Sequence, residues 1–474
     1  MGEVDVNTER DKKYIPPGMV GAYFRRVADP DPFVRDIQDE PSAFMLYADI
    51  CTKCGVCAEE CPVYYGQPSA RMHPVERSRQ VVQLYRKHAT WWGRLKNLIW
   101  PKPDFEEEDA ELFAQRMYEC LTCRRCAVYC PVGIDHSVIT RVGRSLVDYM
   151  GLTPPALAQG TDNSFETGNL EGASTEAMID SVEFLEEELN EETGLDIPIP
   201  IDKEGADIYF VPPSGDVLVY AENLLGMAKV FYAAGANWTM SSRAFDGANF
   251  GFTTGNNFSM RFEAKHYIDE AEKIGCKTMV MGECGHAYRV MKHMAAAGLW
   301  WGTLPFEITS AFEYTAELVE AGTIELDPNR NDEKVTYHDS CQFAAGCNIV
   351  DEPRTILKAA CSDFEEMDGA GATQWCCGGG GGLSALRSAH DFRMDISGKK
   401  KLEQLQATDA EVVSTSCLQC RTQLKELVRH YKLPQKVTGV HEMVYSSIVL
   451  KGENPLNAED APRLRSGETP SAEG

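Results

Sequence analysis

The chain has 474 residues, 43% apolar and 25% charged, the balance of a folded protein with room for two or three cores. A net charge of −26 argues against binding nucleic acid through its phosphates. No run of about 20 apolar residues predicts a transmembrane helix, and the N-terminus MGEVDVNTERDKKYIPPGM lacks the apolar core of a signal peptide. The chain is therefore expected in the cytoplasm, where its 17 cysteines stay reduced and serve metal clusters better than disulfides.

Residues 1–44 read as an N-terminal extension. The next segment, 45–153, carries two cysteine runs. They are Cys51-Thr-Lys-Cys54-Gly-Val-Cys57-Ala-Glu-Glu-Cys61-Pro62 and Cys120-Leu-Thr-Cys123-Arg-Arg-Cys126-Ala-Val-Tyr-Cys130-Pro131. Each has the C-x2-C-x2-C-x3-C-P spacing of a cubane 4Fe–4S ferredoxin, in which the fourth cysteine usually ligates the other cluster. Cys51, Cys54, Cys57 and Cys130 are thus assigned to one cubane, and Cys120, Cys123, Cys126 and Cys61 to the other. Zinc is the alternative, but a four-ligand ion has no use for this spacing repeated twice. Pro62 and Pro131 are expected to turn the chain away. The long helical-looking stretch 63–119 between the runs resembles the helical dicluster ferredoxin domain of respiratory iron–sulfur subunits. Two cubanes in one small domain imply a one-electron relay.

Between the runs lies Trp91-Trp92-Gly-Arg94-Leu95-Lys96-Asn-Leu98-Ile99-Trp100, with Trp91, Trp92, Leu95, Leu98 and Ile99 on one helical face. It predicts either a surface for a membrane or membrane-embedded partner, or a helix packed on the ferredoxin core. Residues 154–205 read as an acidic linker with some helix, and 452–474 as a disordered tail.

From 206 on, short apolar strands alternate with helices, which predicts α/β layers. The candidate strands are Asp207–Val211, Thr278–Met281, Val335–His338, Val412–Ser414 and Lys436–Val440. Candidate helices include Val217–Ala234, Arg354–Ala360 and Arg421–His430. The halves 206–325 and 326–451 align as a repeat: Ser214 on Cys341, and, 35 residues further in each, Asn249 on Cys376 and Phe250 on Cys377. Cys284 then matches Cys417, and Ala287 matches Cys420. The second copy keeps five cysteines and the first keeps one. The predicted fold class is α+β multidomain: a helical dicluster domain followed by duplicated α/β units.

Five thiols, two of them adjacent, exceed what zinc or a standard cubane needs. Neighbouring thiolates can hold neighbouring irons. The run Gly378–Gly382 is not a phosphate loop, and is expected to let the backbone approach a bulky cluster. Cys417 and Cys420 are expected to open a helix after a strand, with backbone N–H groups facing an anionic cluster. Cys276, Cys347 and Cys361 fit no motif and read as buried small apolar residues. Cys284 could line the site, and His338 either tunes it or is a hydrogen-bonded strand end.

The pattern from Cys341 through Cys376-Cys377-Gly378 to Cys417-x2-Cys420 resembles the CCG domain of heterodisulfide reductases. Two cubane motifs followed by CCG domains resemble the HdrD-type subunits and the DsrK, HmcF and TmcB group. The resemblance implies a noncubane 4Fe–4S cluster on Cys341, Cys376, Cys377, Cys417 and Cys420 that cleaves or forms disulfides. It implies a place on the cytoplasmic face of the membrane, a cytochrome b-type membrane partner, and a disulfide or small DsrC-like thiol carrier as substrate. A second reading is an electron-wiring subunit for a flavin dehydrogenase of the glycerol-3-phosphate or glycolate type, which shares this layout. No flavin or nucleotide fingerprint is present in the chain itself.

Overall fold

The computed structural model describes residues 19–27, 41–105, 107–295 and 302–453. Most of the N-terminal extension, and the predicted tail from 454 on, lie outside the described residues. The fold is mixed α+β: helices first, then two parallel sheets with helices around them. No helix among the described residues is long and apolar enough to cross a membrane.

The helical part is built on Pro41–Ile50, Pro74–Ala89, Glu107–Tyr118 and His136–Tyr149. The second starts with proline at N1 and ends on Arg86, Lys87 and His88, complementing its dipole. Asp135 caps the fourth by accepting from the Ser137 amide at 2.8 Å. Part of the extension joins this core: Tyr23 and Phe24 are buried, and the Tyr23 hydroxyl donates to the Val142 carbonyl at 3.0 Å. Pro62 opens the short helix Pro62–Gly66, and Pro131 begins a turn.

The first sheet contains β1 (Ile208–Val211), β2 (Trp238–Thr239), β3 (Thr278–Met281) and β4 (Glu307–Ser310), in the order β2-β1-β3-β4. The second contains β5 (Lys334–His338), β6 (Asp363–Glu366), β7 (Val412–Thr415) and β8 (Lys436–Gly439), in the order β6-β5-β7-β8. Every pairing is parallel, and the two orders are the same. The units meet across a pseudo-twofold: a Cβ on Gly215 would strike Leu418, and one on Gly285 would strike Gln342. In the sequence repeat, Gly215 corresponds to Gln342 and Gly285 to Leu418. The two contacts are therefore one contact made twice, as a symmetric interface requires.

The stretch 154–205, read from its charge as a linker, forms helices Pro155–Thr167 and Thr175–Thr193. The second buries Met178, Val182, Leu185 and Leu189 in the core of the first sheet. Its glutamates occupy the solvated face and dominate the composition, which hides a four-residue apolar stripe. The predicted helix Val217–Ala234 breaks at 219–220 into Gly215–Leu218 and Ala221–Ala233.

Two apolar cores organise the molecule, and the second α/β unit is shared between them. Val335, Tyr337 and Ile356 pack with the first unit. Leu383, Phe392, Leu424 and the five clustered cysteines pack with the helical domain.

Arg144 spans all three parts. It is fully buried, and its guanidinium donates to the carbonyls of Met117 (3.1 Å), Cys120 (2.8 Å), Thr253 (2.7 Å) and Gly381 (2.9 Å). Replacing it with Met keeps the bulk and removes every donor. We expect a loss of about 3 kcal/mol or more, because charged hydrogen bonds vanish and buried acceptors remain. Anaerobic thermal unfolding followed by ellipticity would register this as a lowered midpoint; an unchanged midpoint would mean the three parts hold together without it.

Candidate metal centre

Both cysteine runs fold into the same loop. Lys53 and Gly55 in the first, and Thr122 and Arg124 in the second, all have positive φ, at 57°, 90°, 51° and 63°. Left-handed backbone at a threonine is costly, of order 1 kcal/mol or more, and such strain gathers at functional sites. Here it curls each C-x2-C segment so that its thiols face inward, and the Thr122 amide points to the Cys120 sulfur at 3.5 Å. Each loop then enters one helical turn, Val56–Glu59 or Arg125–Val128, carrying Cys57 or Cys126.

The structure groups the thiols in two sets with the fourth cysteines exchanged. Cys51, Cys54, Cys57 and Cys130 line one small cavity with Ile134 and His136. Burial, then the neighbouring Cys61, Cys51, Cys54 and Cys130, push the Cys57 thiol up to about 12. Cys61 turns the other way: burial raises it to about 11, and Cys123 and Cys120 are among its charged neighbours. Cys126, raised chiefly by burial, also faces Cys123, Cys120 and Cys61. Thiols crowded this way repel one another as anions unless iron takes up their charge, so the donor sets fit two cubanes.

The third set lies at the C-terminal ends of β5 and β7. These are the adjacent central strands whose connections leave in opposite directions, the crevice where parallel sheets bind ligands. Cys341 follows β5. Cys417 follows β7 as the N-cap of helix Leu418–Tyr431, and Cys420 lies in its first turn, as the spacing predicts. Cys376 and Cys377 arrive on the loop before the glycine run. All five are buried.

Their thiols neighbour one another in a chain: Cys341 next to Cys376, Cys376 next to Cys377, Cys377 next to Cys420, and Cys420 next to Cys417. The contact with Cys420 lowers Cys417 to about 6, while its partner thiols hold Cys420 up. Cys284, the surviving cysteine of the first repeat, is buried, and the nearby Cys417 adds to the burial that raises its thiol. Cys276, Cys347 and Cys361 are buried, as small apolar residues would be.

The glycine run serves a purpose that its composition does not reveal. A Cβ on Gly380 would lie 2.7 Å from the Leu121 carbonyl oxygen, and one on Gly381, at φ 66°, 2.6 Å from that of Cys120. These glycines admit the second ferredoxin loop rather than only a cluster. As a result Cys123 touches Cys376, so one cubane set adjoins the five-thiol set. Three further ties hold this seam. Gln342 donates to the Thr122 carbonyl at 3.0 Å, and Arg124 to that of Ala345 at 2.8 Å. Arg125 donates to the Gln374 carbonyl at 3.1 Å and stacks on Trp375, 3.9 Å from the ring centre.

Two side chains gain a place at the centre. The ligand atoms of His338, Cys377 and Cys420 all lie within 4.8 Å of one another. Neither His338 nitrogen has a hydrogen-bond partner among the described residues, and burial keeps the ring neutral. The strand-end role that leaves His338 hydrogen-bonded is therefore not what the structure shows. Lys401 is buried, its ammonium 3.1 Å from the Met367 sulfur, and burial lowers it to about 8 against the pull of Cys377, Cys376, Asp339 and Cys420. An ammonium that is buried with no carboxylate bonded to it among the described residues fits an anionic cluster beside it. No spacing marks Lys401 in sequence, where it is the third of three lysines on an ordinary helix.

Comparison with known proteins agrees with this layout. Residues 47–134 match the 4Fe-4S dicluster domain, and 335–425 match the cysteine-rich domain CCG. The chain is 28% identical to the Hdr-like menaquinol oxidoreductase iron-sulfur subunit 2 of Archaeoglobus fulgidus, an alignment covering 89% of this chain and 84% of that protein. It is 24% identical to a subunit of the dihydromethanophenazine:CoB–CoM heterodisulfide reductase of Methanosarcina mazei (88% and 98% covered). It is 22% identical to the EtfAB:quinone oxidoreductase of Syntrophomonas wolfei, covering 88% of this chain and 60% of that one. The fold and the thiol sets define an iron–sulfur protein with a dicluster domain and a CCG domain. Within that class the chain is similar to the HdrD-like iron–sulfur subunits.

Lys401→Met should leave iron content unchanged and lower the midpoint potential of a cluster on the five thiols, because the lost cation favours the more reduced state. At an effective dielectric of about 20 the effect is on the order of 1–2 kcal/mol per electron. Potentiometric EPR titration of both proteins reads it; equal potentials would place the charge out of reach of the cluster.

Proposed function

We propose that this chain is the catalytic iron–sulfur subunit of a membrane-associated, quinone-linked complex that reduces or oxidises a disulfide or trisulfide. The supporting observation is the retention of all five thiols in one buried chain of contacts that touches Cys123 of the ferredoxin domain. Cys51, Cys54, Cys57 and Cys130 would hold one cubane, Cys61, Cys120, Cys123 and Cys126 the other, and Cys341, Cys376, Cys377, Cys417 and Cys420 a noncubane cluster.

Cleaving a disulfide takes two electrons and two protons and yields two thiols. Held by the two ferredoxin sets, cubanes would supply electrons singly, and a cluster held by Cys341, Cys376, Cys377, Cys417 and Cys420 would supply the place where a sulfur substrate is met. The protein holds that place dry. Lys401 offsets negative charge, and the Gln419 and Cys420 amides in the first turn of helix Leu418–Tyr431 favour the Cys417 thiolate. The relatives' names support the setting: one is a menaquinol oxidoreductase subunit, another a heterodisulfide reductase subunit. A cytochrome b-type membrane subunit and a small DsrC-like thiol carrier are the partners this reading requires, on the cytoplasmic face.

The similarity to the EtfAB:quinone oxidoreductase, whose name mentions no sulfur substrate, favours a second reading. In it the chain only conducts electrons between a flavin dehydrogenase and quinone.

Iron content and EPR of anaerobically purified protein test both. About 12 irons per chain, with a signal in the oxidised protein that appears only on adding thiol, is the expected result. Cys377→Ala should then abolish thiol-linked turnover and leave both cubanes reducible. About 8 irons, or turnover unchanged in Cys377→Ala, would sink the sulfur reading.

A further inference from the structure

We propose that the helix Trp91–Ile99, with Trp100, binds the surface of an anionic lipid bilayer. Its orientation is inverted relative to an ordinary surface helix. The small and polar face turns inward: Gly93 packs against the Arg86 carbonyl, and Gly93 and Asn97 are the helix positions least open to solvent. None of its residues is buried, and the apolar ones point out, with Trp92 65% and Leu98 80% exposed. Trp91 and Trp92 stack on each other at 3.8 Å instead of on the protein.

This orientation is fixed. Thr90 donates to the Arg86 carbonyl at 2.7 Å and caps the helix by accepting from the Gly93 amide at 3.1 Å. The helix therefore cannot roll its apolar side inward without losing its cap.

Charge selects the occupant. On a helical wheel the apolar residues span about a third of the circumference, with Arg94 on one border and Lys96 on the other. Both are exposed, and neither they nor the exposed Lys102 has an ion pair among the described residues. From Arg77 to Pro103 the chain has seven Lys and Arg and no Asp or Glu, within a protein of net charge −26. Tryptophan over a rim of free cations is the composition of a helix lying in a headgroup layer. The rest of this acidic protein would be repelled by the same surface, which leaves this patch to face it.

The test is flotation of the full-length, cluster-loaded protein with vesicles. One set is phosphatidylcholine alone, the other phosphatidylcholine with phosphatidylglycerol. We expect flotation with the second set, at least tenfold weaker with the first. It should also weaken on going from about 0.1 M to about 1 M salt, which shortens the screening length from about 10 Å to about 3 Å. The double variant Trp92→Ser, Leu98→Gln touches only exposed side chains, so its cluster absorbance should match the parent's while flotation falls at least tenfold. Absence of flotation with both vesicles, or equal flotation of the variant, would overturn the proposal and assign this face to a protein partner. The result does not depend on sulfur chemistry at Cys376 and Cys377.

Discussion

The contact between the glycine run and the second ferredoxin loop is the constraint on which the rest depends. Backbone meets backbone there, with Gly380 and Gly381 against the carbonyls of Leu121 and Cys120. No side chain can intervene, so Cys123 of one thiol set neighbours Cys376 of the next. Arg144 binds both sides of the seam and also the first α/β unit. Sequence runs more than two hundred residues apart become one apolar core around the thiols. The boundary drawn by chain order and the boundary drawn by packing do not coincide.

The repeat explains why the first α/β unit, which lacks the cysteine set, is kept. Its counterpart of Cys376, Asn249, caps helix Phe250–Thr254 by accepting from the Phe252 amide at 2.8 Å and donates to the Met260 carbonyl at 3.0 Å. That helix offers the Thr253 carbonyl to Arg144, and the next segment ties Asn256 to Asp148 at 2.9 Å. The crevice that holds thiols in one copy thus grips the ferredoxin domain in the other. Both crevices lie at the same point of equivalent sheets, so one geometry has been turned to two ends: gathering thiols in one unit and gripping the ferredoxin domain in the other.

Much of this was legible in sequence because it depends on local spacing. The C-x2-C-x2-C loops, the helix opened by Cys417 and the central strands β1, β3, β5 and β7 all announce themselves within a few residues. The edge strands did not, apart from β8. β2 has two residues, and β6 is Asp-Phe-Glu-Glu, polar because its outer side is solvated. Lys401 and Arg144 were invisible for a different reason, and of His338 the position was legible but its lack of a partner was not. Their meaning lies in what long-range packing brings beside them, and no periodicity records that. The glycine run was visible, but its partner was not.

The cysteines also differ in their access to solvent. Cys54 in the first loop is exposed, the second loop is partly covered, and the five-thiol set is wholly buried. This gradient gives the molecule a front and a back. Among the described residues, a partner touching the first loop reaches a cysteine directly, and none of the five clustered thiols is reached that way. The same covering shields the five thiols from bulk solvent and from small oxidants dissolved in it.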